Sequence, residues 1–469
     1  MALERFGAAA AGIALILGTR SAGAVTLEPH PDVRGQEVTA VDVRDDGDSW
    51  RAGAWDDLST TRRDPGSYDV RFAVDGGPSG AAVMVPHCAG RKRMAVDGVS
   101  VQSPPGPVVV DVGPGRHEVL VGIEVSKYER RIACGERPRA GTRVQTVEGF
   151  GTLTFGSPYV PRGGGQAVVF VPPGHDVSRP CVLLVGLHPW NGTPWTYAAY
   201  AELLHEARAR DVVLLFPSGL GNSLYTAEAE DEAMRSIDAL TEVVAVDPRA
   251  VSLWGASMGG AGATTVGFHH PDRFASVTSF FGDSKYDVTT YVRALLPDHA
   301  AAHGVNALDV VENALHLPVW LIHGEADRTS PIRQSEMLAG AMRARHLDVQ
   351  FDRVPHVGHQ GPLVARFIAR VVDRAATARV PTPVRRVTYR SVRPWDEGAY
   401  GVHLVRRTPH GNAFVDVEAR DDGVHVRHAE NVRAIVLDPG ALGTAAGRPP
   451  AVVVDGARDV VVSWAGHTP

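Results

Sequence analysis

Lysine is almost absent from this 469-residue chain, with Lys92, Lys127 and Lys285 as its three examples. The formal net charge is −6, so the composition offers none of the basic footprint that nucleic acid requires. Cysteine is equally scarce at three residues, which excludes a disulfide-dense scaffold. Cys88 and Cys134 could pair in an oxidising compartment, and the sequence leaves that open. Cys181 opens an apolar run and reads as a buried thiol. Long apolar runs are missing beyond the N-terminus. Residues 7–18 are apolar, follow Arg5 and precede Ala22-Gly23-Ala24, the pattern of an export signal over 1–24. That run is short for a bilayer span, and an uncleaved anchor is the alternative. The expectation is a secreted or periplasmic protein with no membrane contact once the signal is removed.

What is present is ordinary for a globular protein, and the length calls for two to four domains. Over 25–148 short alternating runs separated by Gly/Pro turns predict a β-sandwich: YDVRFAVDGG, AAVMVPHC, PVVVDVGPG and HEVLVGIEV. From 149 to 377 the rhythm becomes strand-then-helix, with apolar runs near 165, 181, 212, 251, 276, 317 and 348. Helical stretches are expected at 195–209, 229–244, 258–268, 331–345 and 361–376. Such alternation predicts an α/β fold, a mostly parallel sheet with helices on both faces. After the linker ARVPTPVRR, alternation returns over 378–469 and predicts a small all-β domain.

Residues 251–260, VSLWGASMGG, carry the most chemistry. An apolar, β-prone run meets Gly255-Ala256-Ser257-Met258-Gly259, which fits G-x-S-x-G, and a small-residue helical stretch follows. Here a strand must turn sharply into a helix while one serine holds a strained conformation. Ser257 is the candidate nucleophile, and the Met258 N–H at the helix start is a candidate oxyanion donor. A serine hydroxyl needs an imidazole to take its proton and a carboxylate to orient that imidazole. Downstream, LPVWLI runs into His323-Gly324-Glu325-Ala326-Asp327, placing Asp327 just past a strand end. The next strand ends before His356-Val357-Gly358-His359, and the glycine favours His359 over His356 as the base. Asp283 is the rival acid, Glu325 reads as a solvated loop residue, and His323 as structural. His-x-x-His has no evident third ligand, so neither metal nor organic cofactor is implied.

These pieces resemble the catalytic domain of prolyl-oligopeptidase-like and esterase-like α/β-hydrolases: LHPWNG, FPSG, the stretch from Glu230-Asp231 to Val246-Asp247-Pro248-Arg249, GASMGG, HGEAD and GHQG. The resemblance covers 149–377 and implies a Ser257/His359/Asp327 triad working through an acyl-enzyme. It also implies a second oxyanion donor in Leu187-His188-Pro189-Trp190-Asn191-Gly192, where proline and tryptophan replace the family's glycines. Trp190 is the first choice there, with Asn191 its rival. The N-terminal cadence around Asp97-Gly98, Gly115 and His117 resembles galactose-binding-like jelly rolls. The substrate is expected to be a small molecule, a peptide or an acylated polymer. A serine peptidase, a carboxylesterase on acylated polysaccharide or polyester, and a non-catalytic relative are the three readings, and carbohydrate contact through the β domains is possible. Asn191 and Tyr225 are substrate-binding candidates, with Asn222 beside them. Trp190, Trp195, Tyr197 and Tyr200 could line a cleft, although Tyr197 and Tyr200 at helical spacing also suit a core. Glu228, Glu230 and Glu232 sit at a helix start, where carboxylates favour the dipole.

Overall fold

A computed structural model of the chain describes residues 24–45, 48–56, 64–88, 91–103, 106–125, 132, 134–160, 164–286, 306–438, 440–443, 451–454 and 459–465. The expected signal lies outside them except for its last residue. Two compact units emerge. One comprises Met1–Asn222, Asp231–Val246 and Gln360–Asp373; the other comprises Ser223–Glu230, Asp247–His359 and Arg374–Pro469. No helix among the described residues is long and apolar enough to cross a membrane.

The first unit opens with two antiparallel sheets. Six strands run in the order Arg51–Ala54, Ala40–Asp45, Gly66–Asp75, Arg116–Val125, Arg91–Val96, Val99–Val101, and four in the order Asp32–Glu37, Arg139–Val144, Ala81–Val85, Val108–Val112. Alternation does the work here: Tyr68, Val70, Phe72 and Val74 point inward along one strand and meet Val83, Val85, Val108 and Val112 of the other sheet in one core. Cys88 and Cys134 are joined by a disulfide, which settles the pairing that the sequence left open. Cys181 is buried as a thiol. A separate run of strands in this unit is ordered Thr26–Pro29, Gly149–Gly156, Gly164–Val171, Val212–Pro217, Cys181–Leu187. Its first three pairings are antiparallel and the last is parallel.

In the second unit Val246–Ala256, Ser276–Phe280, Val319–Gly324 and Val349–Val354 pair in parallel, in that order. Burial on both faces explains why the second and third read as unbroken buried runs. The helices Met258–His269 and Arg333–Arg343 follow the first and third of these strands. The described strands between Arg386 and Trp464 form two four-stranded sheets whose core includes Val387, Tyr389, Val402, Leu404, Val415 and Ile435. Loops that follow the carboxyl ends of parallel strands are where an α/β sheet gathers its chemistry. Ser257, Asp283, Asp327 and His359 follow the four strands of this unit in turn.

Candidate active site

Ser257 sits between the end of one strand and the first turn of the helix Met258–His269, with φ 56° and ψ −120°. Two bonds hold it there. Its N–H donates to Phe280 O at 2.9 Å, and its carbonyl accepts from Ala261 N–H at 2.9 Å. The turn needs a glycine at 260: a Cβ there would lie 2.6 Å from Phe280 O and 2.9 Å from Ser279 Oγ. Ser257 is half-exposed in a stretch that is otherwise buried. Met258 begins the helix, so its N–H is among those with no intrahelical acceptor.

His359 lies between the other two residues expected in the triad. Its Nδ1 is 2.7 Å from Asp327 Oδ2 and its Nε2 is 2.8 Å from Ser257 Oγ. An ionised carboxylate only accepts, so Nδ1 carries the proton and donates it to Asp327, and Nε2 accepts the serine hydroxyl. That arrangement can take the Ser257 proton as the oxygen attacks. The Phe281 ring, 4.5 Å from the imidazole, packs against it.

Asp327 is buried, and its Oδ1 accepts the N–H groups of Thr329 and Ser330 at 2.8 and 3.0 Å. Burial pushes its pKa up, but the polar contacts of His323 and His359 and the Ser330 N–H outweigh burial and hold it at about 2. His323 is fully buried, 3.5 Å from Asp327 Oδ2 through Nε2. Its Nε2–H donates to Ser330 O at 2.8 Å, which leaves Nδ1 to accept the Ser335 hydroxyl at 2.8 Å. Both nitrogens are thus engaged in building the turn. The rivals fall elsewhere. Asp283 accepts the Ser330 hydroxyl at 2.7 Å, His356 is exposed, and Glu325 pairs with Arg353 at 3.0 Å.

The loop after Cys181–Leu187 belongs to the first unit. His188 is buried there with its ring nitrogens 2.9 Å from Pro189 O and 2.8 Å from Ser218 O. Trp190 is half-buried. Asn191 is exposed with φ 59°, and its N–H donates to Asn222 Oδ1 at 2.6 Å while its Oδ1 accepts from Asn222 Nδ2 at 2.8 Å. The Asn191 N–H is therefore engaged, which removes it as the rival oxyanion donor; its exposed side chain stays on the surface.

Several expectations need correction. Tyr225 is fully buried and packs against Gly262, so it presents no surface to a substrate. Tyr197 and Tyr200 are buried against one another, and the Trp195 ring packs on His30, His87 and Phe150 at 5.1–5.3 Å between centroids. Tyr197 and Tyr200 are core, and Trp195 is half-buried with its ring engaged by those neighbours. Glu230 does more than meet a helix dipole: it is buried against Arg393 and His270. Reading the sequence missed Phe281, Thr329 and Ser330. Asp327-Arg328-Thr329-Ser330 carried a usable signal, since an Asp whose carboxylate accepts the N–H groups two and three residues on is a recognisable turn. Phe281 carried none, because its φ of 39° is unusual for a bulky residue.

Residues 221–375, a span that includes Ser257, Asp327 and His359, match the family model described as the prolyl oligopeptidase family. No curated protein matches the chain. Among solved structures it is similar to an S-formylglutathione hydrolase from Agrobacterium tumefaciens, at 20% identity and a TM-score of 0.44 over 50% of this chain and 95% of that one. A fluorophosphonate-binding serine hydrolase from Staphylococcus aureus is 15% identical, with a TM-score of 0.43 over 49% and 98%. A puromycin-hydrolysing peptidase from Mycobacterium tuberculosis is 17% identical, with a TM-score of 0.40 over 48% of this chain and 39% of that one. The chain carries a prolyl-oligopeptidase-like domain of the α/β-hydrolase type, and it is a hydrolytic enzyme.

Proposed function

We propose that this serine hydrolase is exported and cleaves ester or peptide acyl bonds through a covalent intermediate on Ser257. The observation that carries the reading is the imidazole of His359, 2.8 Å from the Ser257 hydroxyl and 2.7 Å from the Asp327 carboxylate. Ser257 Oγ attacks the acyl carbon as its proton passes to His359 Nε2. The resulting imidazolium is held by Asp327, and the negative charge on the former carbonyl oxygen faces the Met258 N–H. His359 then gives its proton to the departing alcohol or amine, leaving an acyl-Ser257 ester. Water, deprotonated by the same imidazole, returns the serine and releases the acid. The disulfide Cys88–Cys134 supports export, because such bonds persist in oxidising compartments.

A fluorophosphonate probe tests the nucleophile. Wild type should be labelled and Ser257→Ala should not; labelling that survives the substitution would remove Ser257 from the mechanism. A panel of p-nitrophenyl acyl esters beside aminoacyl and peptidyl amides, compared by kcat/KM, then divides the two bond classes. Amide turnover comparable to ester turnover marks a peptidase, and turnover of esters alone marks a carboxylesterase.

A further inference from the structure

Beyond the triad, one residue links two buried carboxylates. Ser330 donates its N–H to Asp327 Oδ1 at 3.0 Å and its hydroxyl to Asp283 Oδ1 at 2.7 Å. Its carbonyl accepts from His323 Nε2–H at 2.8 Å. Every polar group of this buried serine is therefore engaged, and each bond reaches a different part of the site. We propose that Asp283 is a positioning residue of the triad, acting through Ser330 on Asp327. This rests on the assignment of Ser257, His359 and Asp327 made above.

The segment bearing Asp283 is built to hold a position. It leaves the strand Ser276–Phe280, and the Phe281 N–H donates to Ile322 O at 2.8 Å on the neighbouring strand. Ser284 donates its hydroxyl to Gln334 O at 2.6 Å, and the Ser284 and Lys285 N–H groups both donate to Gln334 Oε1, at 3.1 and 3.0 Å. Gln334 lies in the helix Arg333–Arg343, so the segment is fastened at both ends. It meets the triad at two points. The Phe281 ring covers the His359 imidazole, and Asp283 reaches the turn under Asp327.

The chemistry asks for that constraint. His359 must keep Nδ1–H on Asp327 Oδ2 while Nε2 serves first Ser257 and then the leaving group. The motion that would spoil this is rotation of the Asp327 carboxylate. Thr329 and Ser330 N–H groups on Oδ1 oppose it, and the orientation of Ser330 is set by the bond from its hydroxyl to Asp283. Asp283 is not itself the triad acid, since the imidazole proton is already on Asp327.

The test uses the full-length protein, fluorophosphonate labelling and a p-nitrophenyl acyl ester. Asp283→Ala and Ser330→Ala should each lower kcat by about ten- to a hundredfold with KM little changed, the scale of loss that follows small misplacement of a reacting group. Asp283→Asn keeps an oxygen for the Ser330 hydroxyl and should recover at least about tenfold of the alanine variant's loss. Because the two residues act as one unit, the double alanine variant should be no slower than the worse single one. Thermal melts identify any variant that fails to fold, in which case Ser330→Ala and Asp283→Asn decide the matter. The proposal is overturned if Ser330→Ala is silent, if the two losses multiply, or if Asp283→Asn is as impaired as Asp283→Ala. Absence of Ser257 labelling in wild type would instead overturn the triad reading, and this proposal with it.

Discussion

A backbone conformation such as that of Ser257 costs on the order of 1–3 kcal/mol, and it persists where its surroundings over-determine it. The bonds to Phe280 O and from Ala261 N–H do so, presenting the hydroxyl to His359. Asp327 shows the same economy of placement. Its pKa of about 2 lies below the unfolded value, so the stability it contributes is present above roughly pH 4 and is lost as pH falls through 2. It is therefore charged above roughly pH 4. Asp327→Asn keeps the shape but removes the charge and the tautomer control. The expected outcome is a loss of about 10⁴-fold in kcat, measured with a p-nitrophenyl ester, while the acid-side loss of stability between pH 4 and 2 becomes shallower. A loss under about tenfold would sink the role given to Asp327. At this scale the grouping of Ser257, His359 and Asp327 was legible because the chemistry proposed for them imposes a chain order and each follows a strand. Ser330 and Asp283 were not legible as a pair, because 47 residues separate them and only the strand order brings them together.

Among the elements, the helix Met258–His269 depends on what it lacks. Its GGAGA start lets the chain approach the strand Ser276–Phe280, with the Phe280 carbonyl serving the Ser257 N–H. Gly260→Ala would place a methyl group 2.6 Å from that same carbonyl oxygen. The expected result is a destabilisation of roughly 1–3 kcal/mol in urea unfolding together with slower fluorophosphonate labelling. A change within about 0.5 kcal/mol would mean that the elbow is looser than its contacts imply. Most elements could be read from apolar periodicity: the strand expected over 181–187 is Cys181–Leu187, and the helix over 361–376 is Pro362–Thr377. The stretch 195–209 is instead two helices, Trp195–Ala198 and Ala201–Ala209, divided at Tyr200, whose ψ of 103° is extended. Nothing in the alanine-rich sequence around it marks that break, which accompanies burial of the Tyr197 and Tyr200 rings. The 3-10 helix Ala307–His316 was also missed, since Val310 and Ala314 leave helical geometry within it.

At the scale of the whole molecule, the C-terminal sheets belong to the same unit as Ser257 and are held within it by a buried charge network. Arg393 donates to Glu230 through Nη1 and Nη2 at 2.5 and 2.9 Å, and to Asp396 through Nε and Nη2 at 3.0 and 2.7 Å. All three side chains are buried. Tyr389 and Tyr400 add hydroxyl bonds to the carbonyls of His269 and Pro271, at the far end of the helix Met258–His269. Arg393→Met should cost about 3–5 kcal/mol in chemical denaturation, because it strands two buried carboxylates. Adding Glu230→Gln and Asp396→Asn should return part of that loss, and a cost below about 1 kcal/mol would deny the network this role. Composition and spacing predict a linker at 378–386, but the partners of Arg393 lie 163 residues and three residues away and have no common motif.

The strand Thr26–Pro29 lies antiparallel on Gly149–Gly156, with Thr26 opposite Thr154 and Pro29 opposite Gly151. His30 continues the contact, its N–H donating to Phe150 O at 2.8 Å and its Nε2 lying 2.8 Å from Thr152 Oγ1. The N-terminal sandwich is therefore not a bead ahead of the hydrolase fold. It is an excursion that departs from one sheet edge and returns to the same edge, its two ends about 5 Å apart. Cutting the chain at 149 would peel away that outer strand and bare an unpaired β edge. Splicing residue 29 to 151 through a tight turn would lift the sandwich out and leave Thr26–Pro29 in place as the outer strand.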